Sequence, residues 1–236
     1  MEFKIFSLNC WLLPPPFSKD NKKRLSKIIS IIKKYHPDII AFQEVWLKKY
    51  VKKIENSLPE YFFIKSNSFF YNKGGLVTGL RIGKNSFERG FFPFTEGHSF
   101  LEKVASKGYH LVRLSDNLFF TNTHLYAPTN DMEKYIPKLQ FNFIQKLMHS
   151  KKGLLAGDLN LDGVELNELN RLFDHNISQN LILSSSNPMK EIKSANKKID
   201  YILKTKESNI SISTECMKYP IVSDHFINTA VIKISN

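Results

Sequence analysis

Six polar positions carry side chains suited to phosphoester chemistry, and each lies at the border of an apolar run. In Leu154-Leu155-Ala156-Gly157-Asp158-Leu159-Asn160 a buried strand stops at a glycine and then presents a carboxylate and an amide. Two residues apart, Asp158 and Asn160 share a face if the extended backbone persists beyond Gly157. Asn9 follows Phe6-Ser7-Leu8, Glu44 follows Ile39-Ile40-Ala41-Phe42-Gln43, and His124 follows Phe119-Phe120-Thr121-Asn122-Thr123. Asp224-His225 stands beside Ile221-Val222-Ser223, and Asp200 opens Tyr201-Ile202-Leu203. Glu44 and Asn9 offer oxygen ligands for a hard divalent ion, Mg2+ first and Mn2+ second. His225 has the right ordinary pKa for a general base, and a carboxylate on its other ring nitrogen, for which Asp200 is the candidate, would fix its tautomer. His124 could hydrogen-bond a phosphoryl oxygen. No Ser-His-Asp arrangement stands out, and Lys73-Gly74-Gly75 lacks the Gly-Lys-Ser/Thr end of a phosphate-binding P-loop.

Strand ends gathered on one rim are where open α/β sheets collect their sites, so the elements must supply such a rim. Periodicity predicts strands over 3–9, 38–43, 61–66, 74–82, 86–92, 108–114 and 117–124, then 153–158, 178–183, 197–203, 209–216 and 225–234. Helices are expected over 20–35, 46–57, 131–149 and 164–173, with Ser18 or Asp20 capping the first and Pro137 in the opening turns of the third. Strand-rich blocks flank the 131–149 helix, and no long linker divides them. A single domain over 1–236, two sheets with helices outside, explains this pattern.

The chain of 236 residues can bury a sizeable core, and its 42% hydrophobic content is ordinary for a globular protein. A formal charge of +12 suggests an anionic partner: nucleic acid, acidic lipid or a phosphorylated small molecule. Cys10 and Cys216 form neither a disulfide framework nor a metal cluster, and Cys10 reads as a buried thiol. No apolar run reaches the ~18 residues of a membrane span, and the start alternates like a strand rather than a signal peptide. Cytoplasmic residence or export by a signal-independent route is expected.

Leu8-Asn9-Cys10-Trp11, Gln43-Glu44-Val45-Trp46, Asn122-Thr123-His124-Leu125, Gly157-Asp158-Leu159-Asn160, Ile199-Asp200-Tyr201-Ile202 and Ser223-Asp224-His225 stand in the order seen in the endonuclease/exonuclease/phosphatase superfamily, which the chain resembles from residue 3 to about 232. The resemblance implies a four-layer α/β sandwich, with two packed, mainly antiparallel sheets and helices on the outer faces. It implies a metal-dependent phosphodiesterase in which Glu44 and Asn9 hold Mg2+ and Asp158 and Asn160 orient water and phosphate. His225, paired with Asp200, would act as the base. Asp224 would serve metal binding or proton traffic, and His124 would stabilise transition-state charge. Trp11 with Leu13-Pro14, Val45-Trp46, Gly75-Leu76-Val77, Phe91-Phe92-Pro93-Phe94 and Lys107-Gly108 resemble the neutral sphingomyelinase-like branch, although Gly74 stands where that branch has Ser. That branch implies a phospholipid headgroup substrate at a membrane surface, with Lys107 meeting the phosphate and no obligate protein partner. A nuclease or DNA-end phosphodiesterase, an inositol phosphate phosphatase and a non-catalytic phosphate-binding module are the alternatives. Against the apurinic endonucleases, Trp11 stands where they place an Asp.

Overall fold

The computed structural model describes residues 2–66, 68–81, 89–95, 105–174, 180–181, 198–206 and 209–235. One sheet contains β1 (Glu2–Leu12), β2 (Ile39–Val45), β3 (Phe62–Ile64), β4 (Val77–Leu80), β11 (Ile210–Met217) and β12 (Ile227–Ile234), in the spatial order β11-β12-β1-β2-β4-β3. The other contains β5 (Arg89–Pro93), β6 (Gly108–Ser115), β7 (Leu118–His124), β8 (Lys152–Asp158), β9 (Asn180–Leu181) and β10 (Lys198–Lys204), ordered β5-β6-β7-β8-β10-β9. Each sheet is mixed in the same way: one central parallel pair, β1/β2 or β7/β8, with antiparallel neighbours. Helices α1 (Asn21–Tyr35) and α2 (Lys48–Ser57) cover the first sheet, and α3 (Tyr135–Met148) and α4 (Gly163–Leu169) the second.

Three apolar layers separate the four layers of structure, and strand alternation sorts residues among them. Phe6, Leu8 and Phe42 face α1 and α2, packing on Leu25, Ile28 and Ile54. Phe3, Ile5, Ile39 and Ala41 face inward and meet Phe120, Leu154, Ala156 and Ile202 of the other sheet. Leu155, Tyr201 and Leu203 face outward under Phe141, Ile144 and Met148 of α3. This is the α/β sandwich the sequence implies.

The differences are local. Helix α1 begins at Asn21, but neither expected cap operates: Asp20 has left-handed backbone and no capping bond, while the Ser18 hydroxyl binds Leu13 O and Asn21 Oδ1. Gly74 and Gly75 belong to a 3-10 turn, so β4 starts only at Val77. Asp131–Glu133 is a separate 3-10 turn, and α3 starts at Tyr135 with Pro137 in its first turn. Helix α4 ends at Leu169 rather than 173; Asp162 and Glu165 cap its start reciprocally, a capping box that sequence reading missed. Strand β12 starts at Ile227, which leaves His225 on the preceding loop. Of the strands expected over 86–92 and 178–183, residues 86–88, 178–179 and 182–183 lie outside the described set.

Candidate active site

The inter-sheet layer is apolar over most of its length and polar at one end. On β1 the inward series Phe3, Ile5, Ser7 runs on to Asn9. On β7 it runs Leu118, Phe120, Asn122, His124; on β8, Leu154, Ala156, Asp158; on β10, Ile202 and then Asp200. Register aligns these ends, since His124 and Asp200 both pair with Asp158 from opposite sides. The result is a row of His124, Asp158 and Asp200 on one sheet facing Asn9 on the other. Asn9 Nδ2 donates to Asp158 Oδ2 at 3.0 Å across the gap.

His225 closes the row from the loop before β12. Its Nδ1 lies 2.7 Å from Asp200 Oδ2, while Nε2 points to Asp158 Oδ2 and Asp224 Oδ1, each 3.9 Å away. That spacing leaves the free ring nitrogen within reach of a shared oxygen atom. Asn160 does not continue the strand: it has φ 49°, its amide N–H donates to Asp158 Oδ1 at 3.0 Å, and its Nδ2 donates to Leu125 O at 2.9 Å. Asp158 and Asn160 are therefore associated by a tight turn rather than by extended alternation. Gly157 permits the close strand approach there, because a Cβ would lie 1.9 Å from Thr123 O.

Lys107 reaches the row from the start of β6. It is buried, and its ammonium bonds His124 Nε2 at 3.1 Å and Leu125 O at 2.9 Å. With Nε2 accepting from a cation, the proton of neutral His124 sits on Nδ1, which is buried without a partner. His124 Nε2 thus faces Lys107 and lies 3.5 Å from Asp158 Oδ2.

Glu44 arrives by a break in alternation. Ile40 and Phe42 face α1 and α2, and Glu44 would follow them, but its φ of 56° resets the pattern and Val45 takes the helix-side place. Trp11, φ 47°, sits in the β1 bulge between Asn9 and Leu12. Left-handed backbone at non-glycine residues costs of order 1–3 kcal/mol each and persists only where the surroundings enforce it. Here the enforcement is visible. Asn72 bonds Trp46 O through its backbone N–H and Val45 O through its side chain, and Trp46 packs on Gly75. On the β1 side, the buried Arg24 guanidinium donates to Cys10 O, Trp11 O and Val222 O, and stacks on Trp11 with its carbon 4.9 Å from the ring centre. Ser223 Oγ adds a bond to Asn9 O at 2.6 Å.

Burial and the packing of carboxylates set the proton affinities. Burial, then Asp224, pushes the Glu44 carboxyl up to about 7. Burial, then Asp200, pushes Asp158 up to about 6. For His225, burial opposes protonation, but Asp200, Asp224 and Asp158 outweigh it and raise its pKa well above the usual histidine value. Burial, Lys107 and His225 together drive His124 well below that value. Donor atoms of Asp158, Asp200 and His225 lie within 4.8 Å of one another, close enough to share a divalent ion. The Asp200–His225 bond, however, already claims one donor from each.

The sequence matches a known family, the endonuclease/exonuclease/phosphatase family, over residues 6–225. The chain belongs to that family. It is accordingly a metal-dependent phosphoric ester hydrolase with the phosphodiesterase fold of the family. No curated protein sequence matches it. Among solved structures it is similar to TDP2 from D. rerio complexed with a single-strand DNA product, at TM-score 0.77 and 15% identity, covering 98% of this chain and 99% of that one. SmcL superposes at TM-score 0.74 with 17% identity, covering 98% and 99%. Sphingomyelinase C from Streptomyces griseocarneus gives TM-score 0.71 and 14% identity with the same coverage. At such identities these likenesses establish the family fold. Among the described residues no helix is long and apolar enough to cross a membrane.

The structure brings together Asn9, Glu44, Lys107, His124, Asp158, Asn160, Asp200, Asp224 and His225. Sequence reasoning missed Arg24, Ser223 and the polar residues behind the row, where Gln43 Nε2 donates to Asn122 Oδ1 at 2.8 Å and Asn122 Nδ2 to Thr78 Oγ1 at 3.0 Å. Parity would have found Asn122, since it stands between Phe120 and His124 on the inward face. The aromatic cluster resolves mainly as packing: Phe94 is buried between Tyr109 and Phe143, Phe92 stacks on Tyr109, and Phe91 lies against Gly74.

Proposed function

We propose that this single catalytic domain hydrolyses phosphodiesters of phospholipid headgroups at a membrane surface. The observation that carries the lipid assignment is the make-up of the rim. Loops at the same end of the first sheet as Glu44 expose Tyr219 (before β12), Phe17 (after β1) and the pair Phe69-Phe70 (before β4). Phe69 and Phe70 are 83% and 84% exposed, set edge to face, with Lys48 5.7 Å from the Phe69 ring. Exposed Lys19, Lys73 and Lys218 stand in the same loops. Protruding aromatics ringed by lysines suit an interface whose interior is apolar and whose headgroups carry phosphate. Met132, in the 3-10 turn after β7, and Val164, in the first turn of α4 after β8, are exposed and extend the apolar rim with side chains that cannot stack on bases.

The metal assignment rests on Glu44. Its carboxylate is crowded by Asp224 and Asp158 and makes no hydrogen bond among the described residues, so the site favours a divalent cation with hard oxygen preference. Glu44 and the Asn9 carbonyl oxygen would hold it, Mg2+ being the ion proposed and Mn2+ a substitute. When bound, it neutralises charge on the phosphoryl oxygens. The chain's own groups divide the remaining work. Asp158, anchored by Asn9 and Asn160, is ionised above pH 6 and takes the proton of the attacking water. His225, kept cationic by Asp200, holds the proton for the leaving oxygen through Nε2. This reverses the sequence expectation that His225 is the base. Lys107 supplies positive charge to the phosphoryl group, and His124 positions Lys107.

A nuclease or DNA-end activity is the second reading, favoured by the +12 charge. A panel of sphingomyelin vesicles, lysophospholipid micelles, single- and double-stranded DNA and inositol phosphates decides between them. The expected result is Mg2+-dependent turnover of the choline phospholipids, lost in Asp158→Ala. A preference for DNA would overturn the lipid assignment while leaving the phosphodiesterase chemistry in place.

A further inference from the structure

A cavity of about 850 Å³ lies at the opposite end of the second sheet from the active site. Lys152, which opens β8, lines it, whereas Asp158, which ends β8, belongs to the catalytic row; six residues of strand separate them by roughly 20 Å. Five lysine and arginine side chains, with the imidazole of His149, converge on the cavity from four segments: Lys146 and His149 from the end of α3, Lys151 and Lys152 at the entry to β8, Arg171 from the loop after α4 and Lys206 from the loop after β10. No aspartate or glutamate is among its described lining residues. None of these cations has an ion pair among the described residues. Lys151 and Lys206 spend a hydrogen on Leu147 O and Arg171 O, which leaves their charge in place.

Lysines scattered over a surface would not amount to a site, but this cavity has a fixed wall and an apolar floor. Gln145 is buried in α3, and its Oε1 accepts the backbone N–H of Arg171 at 2.8 Å while its Nε2 donates to Leu169 O at 3.1 Å. Lys206 N–H donates to Leu172 O at 2.9 Å, and Thr205 N–H to Gly153 O at 3.0 Å. These bonds lock the four cation-bearing segments together before any ligand arrives. Leu139, Phe143 and Leu172 supply apolar lining. A cavity of this size accommodates a small molecule, whose usual sites span about 300–1,000 Å³. Cations focused on one concavity, rather than strung along a stripe, suit a compact polyanion more than a nucleic-acid backbone.

We propose that this cavity is a second, non-catalytic binding site for a polyphosphorylated small molecule with an apolar or aromatic part, of which a nucleoside triphosphate is the type. The phosphates meet Lys146, Lys152 and Arg171, and the apolar part lies on Phe143 and Leu172.

The test is calorimetric titration of ATP, pyrophosphate and adenosine into the intact protein, with chelator present so that neither turnover nor metal bridging contributes. The variant Lys146→Glu/Arg171→Glu is compared with Lys22→Glu/Lys23→Glu, which makes the same change of net charge on the exposed face of α1, over the other sheet. Thermal unfolding of both confirms that they are folded. Expected are one ATP per chain, weaker binding of pyrophosphate, and an affinity loss on the order of tenfold or more in the cavity variant against less than about twofold in the control. Equal losses in the two variants would reduce the effect to bulk charge and overturn the proposal. So would absence of ATP binding. Each outcome is independent of the substrate panel, because the cavity shares no residue with the catalytic row.

Discussion

His110 makes the protein's stability acid-sensitive in a way that can be worked out in advance. It lies wholly buried between the sheets, with Nδ1 2.8 Å from Thr78 Oγ1, the Phe91 ring edge-on at 5.9 Å, and Nε2 without a partner. Thr78 Oγ1 satisfies one ring nitrogen of the neutral imidazole, and no acceptor stands at Nε2 to receive a second N–H. Burial lowers its pKa to about 3. The unfolded chain, with an ordinary value near 6.5, therefore binds more protons than the folded one between those limits, and stability falls as pH drops below about 6.5. At about 1.36 kcal/mol per unit, pH 5 lies about 1.5 units down and costs roughly 2 kcal/mol relative to pH 7.5. Glu44 and Asp158 work with the opposite sign, since their raised values favour the folded state as it becomes more acidic. They are common to wild type and a His110→Asn variant and cancel in the difference. Urea midpoints of both proteins at pH 7.5 and pH 5 give the readout. Wild type should lose roughly 2 kcal/mol more than His110→Asn on acidification. Equal losses would refute the reasoning, whatever the variant's stability at neutral pH.

Two further outcomes follow from the site. Glu44→Gln removes a carboxylate that burial and Asp224 disfavour in ionised form, so at pH 8 in chelator it should melt above wild type while needing more Mg2+ and turning over more slowly; a variant less stable than wild type would count against the crowding argument. Arg24→Met strips a donor from three buried carbonyls at about 1–3 kcal/mol each, and Arg24→Lys restores the charge without the planar fork. If Arg24 positions Trp11 and the Ser223-Asp224-His225 loop, Arg24→Lys should stay folded yet show a shifted kcat pH profile, and an unshifted profile would assign it a structural role alone.

The layers were legible because they follow from period-2 and period-3.6 alternation. Phe3-Ile5 against Phe6-Leu8 already divides the two faces of β1, and Leu25, Ile28 and Ile32 mark the buried stripe of α1. Element ends were less so, for identifiable reasons. The first helix lacks its side-chain cap because Ser18 is committed to Leu13 O, a tertiary partner invisible to local pattern. Positive φ at Gly74 and Gly75 converts an apparent strand start into a turn that seats Phe91 and Trp46. Leu172 and Phe173 read as a continuation of α4 but leave it after Asn170, whose side chain bonds Phe173 instead.

The gathering of these residues at one rim was legible, but not the contacts among them. Spacing put Asp158 and Asn160 on one strand face, whereas the left-handed turn at Asn160 makes it a ligand of Asp158. It placed His124 near the phosphate, and the contact of its ring with Lys107 was not visible to it. It paired His225 with Asp200, and the structure adds Asp224 and Asp158 around the same ring, which together raise its pKa. These corrections share a cause: each depends on which groups meet across the two sheets. Arg24 is the clearest case. Its position in the α1 sequence, between lysines at 22, 23 and 27, reads as one more solvated cation. Only the bulge that turns the Cys10 and Trp11 carbonyls toward α1 makes it the bolt between the Asn9 strand and the His225 loop. A basic residue among basic residues can thus be the buried member, and the sequence signal for it is its parity with Leu25 and Ile28 on the buried stripe rather than its charge.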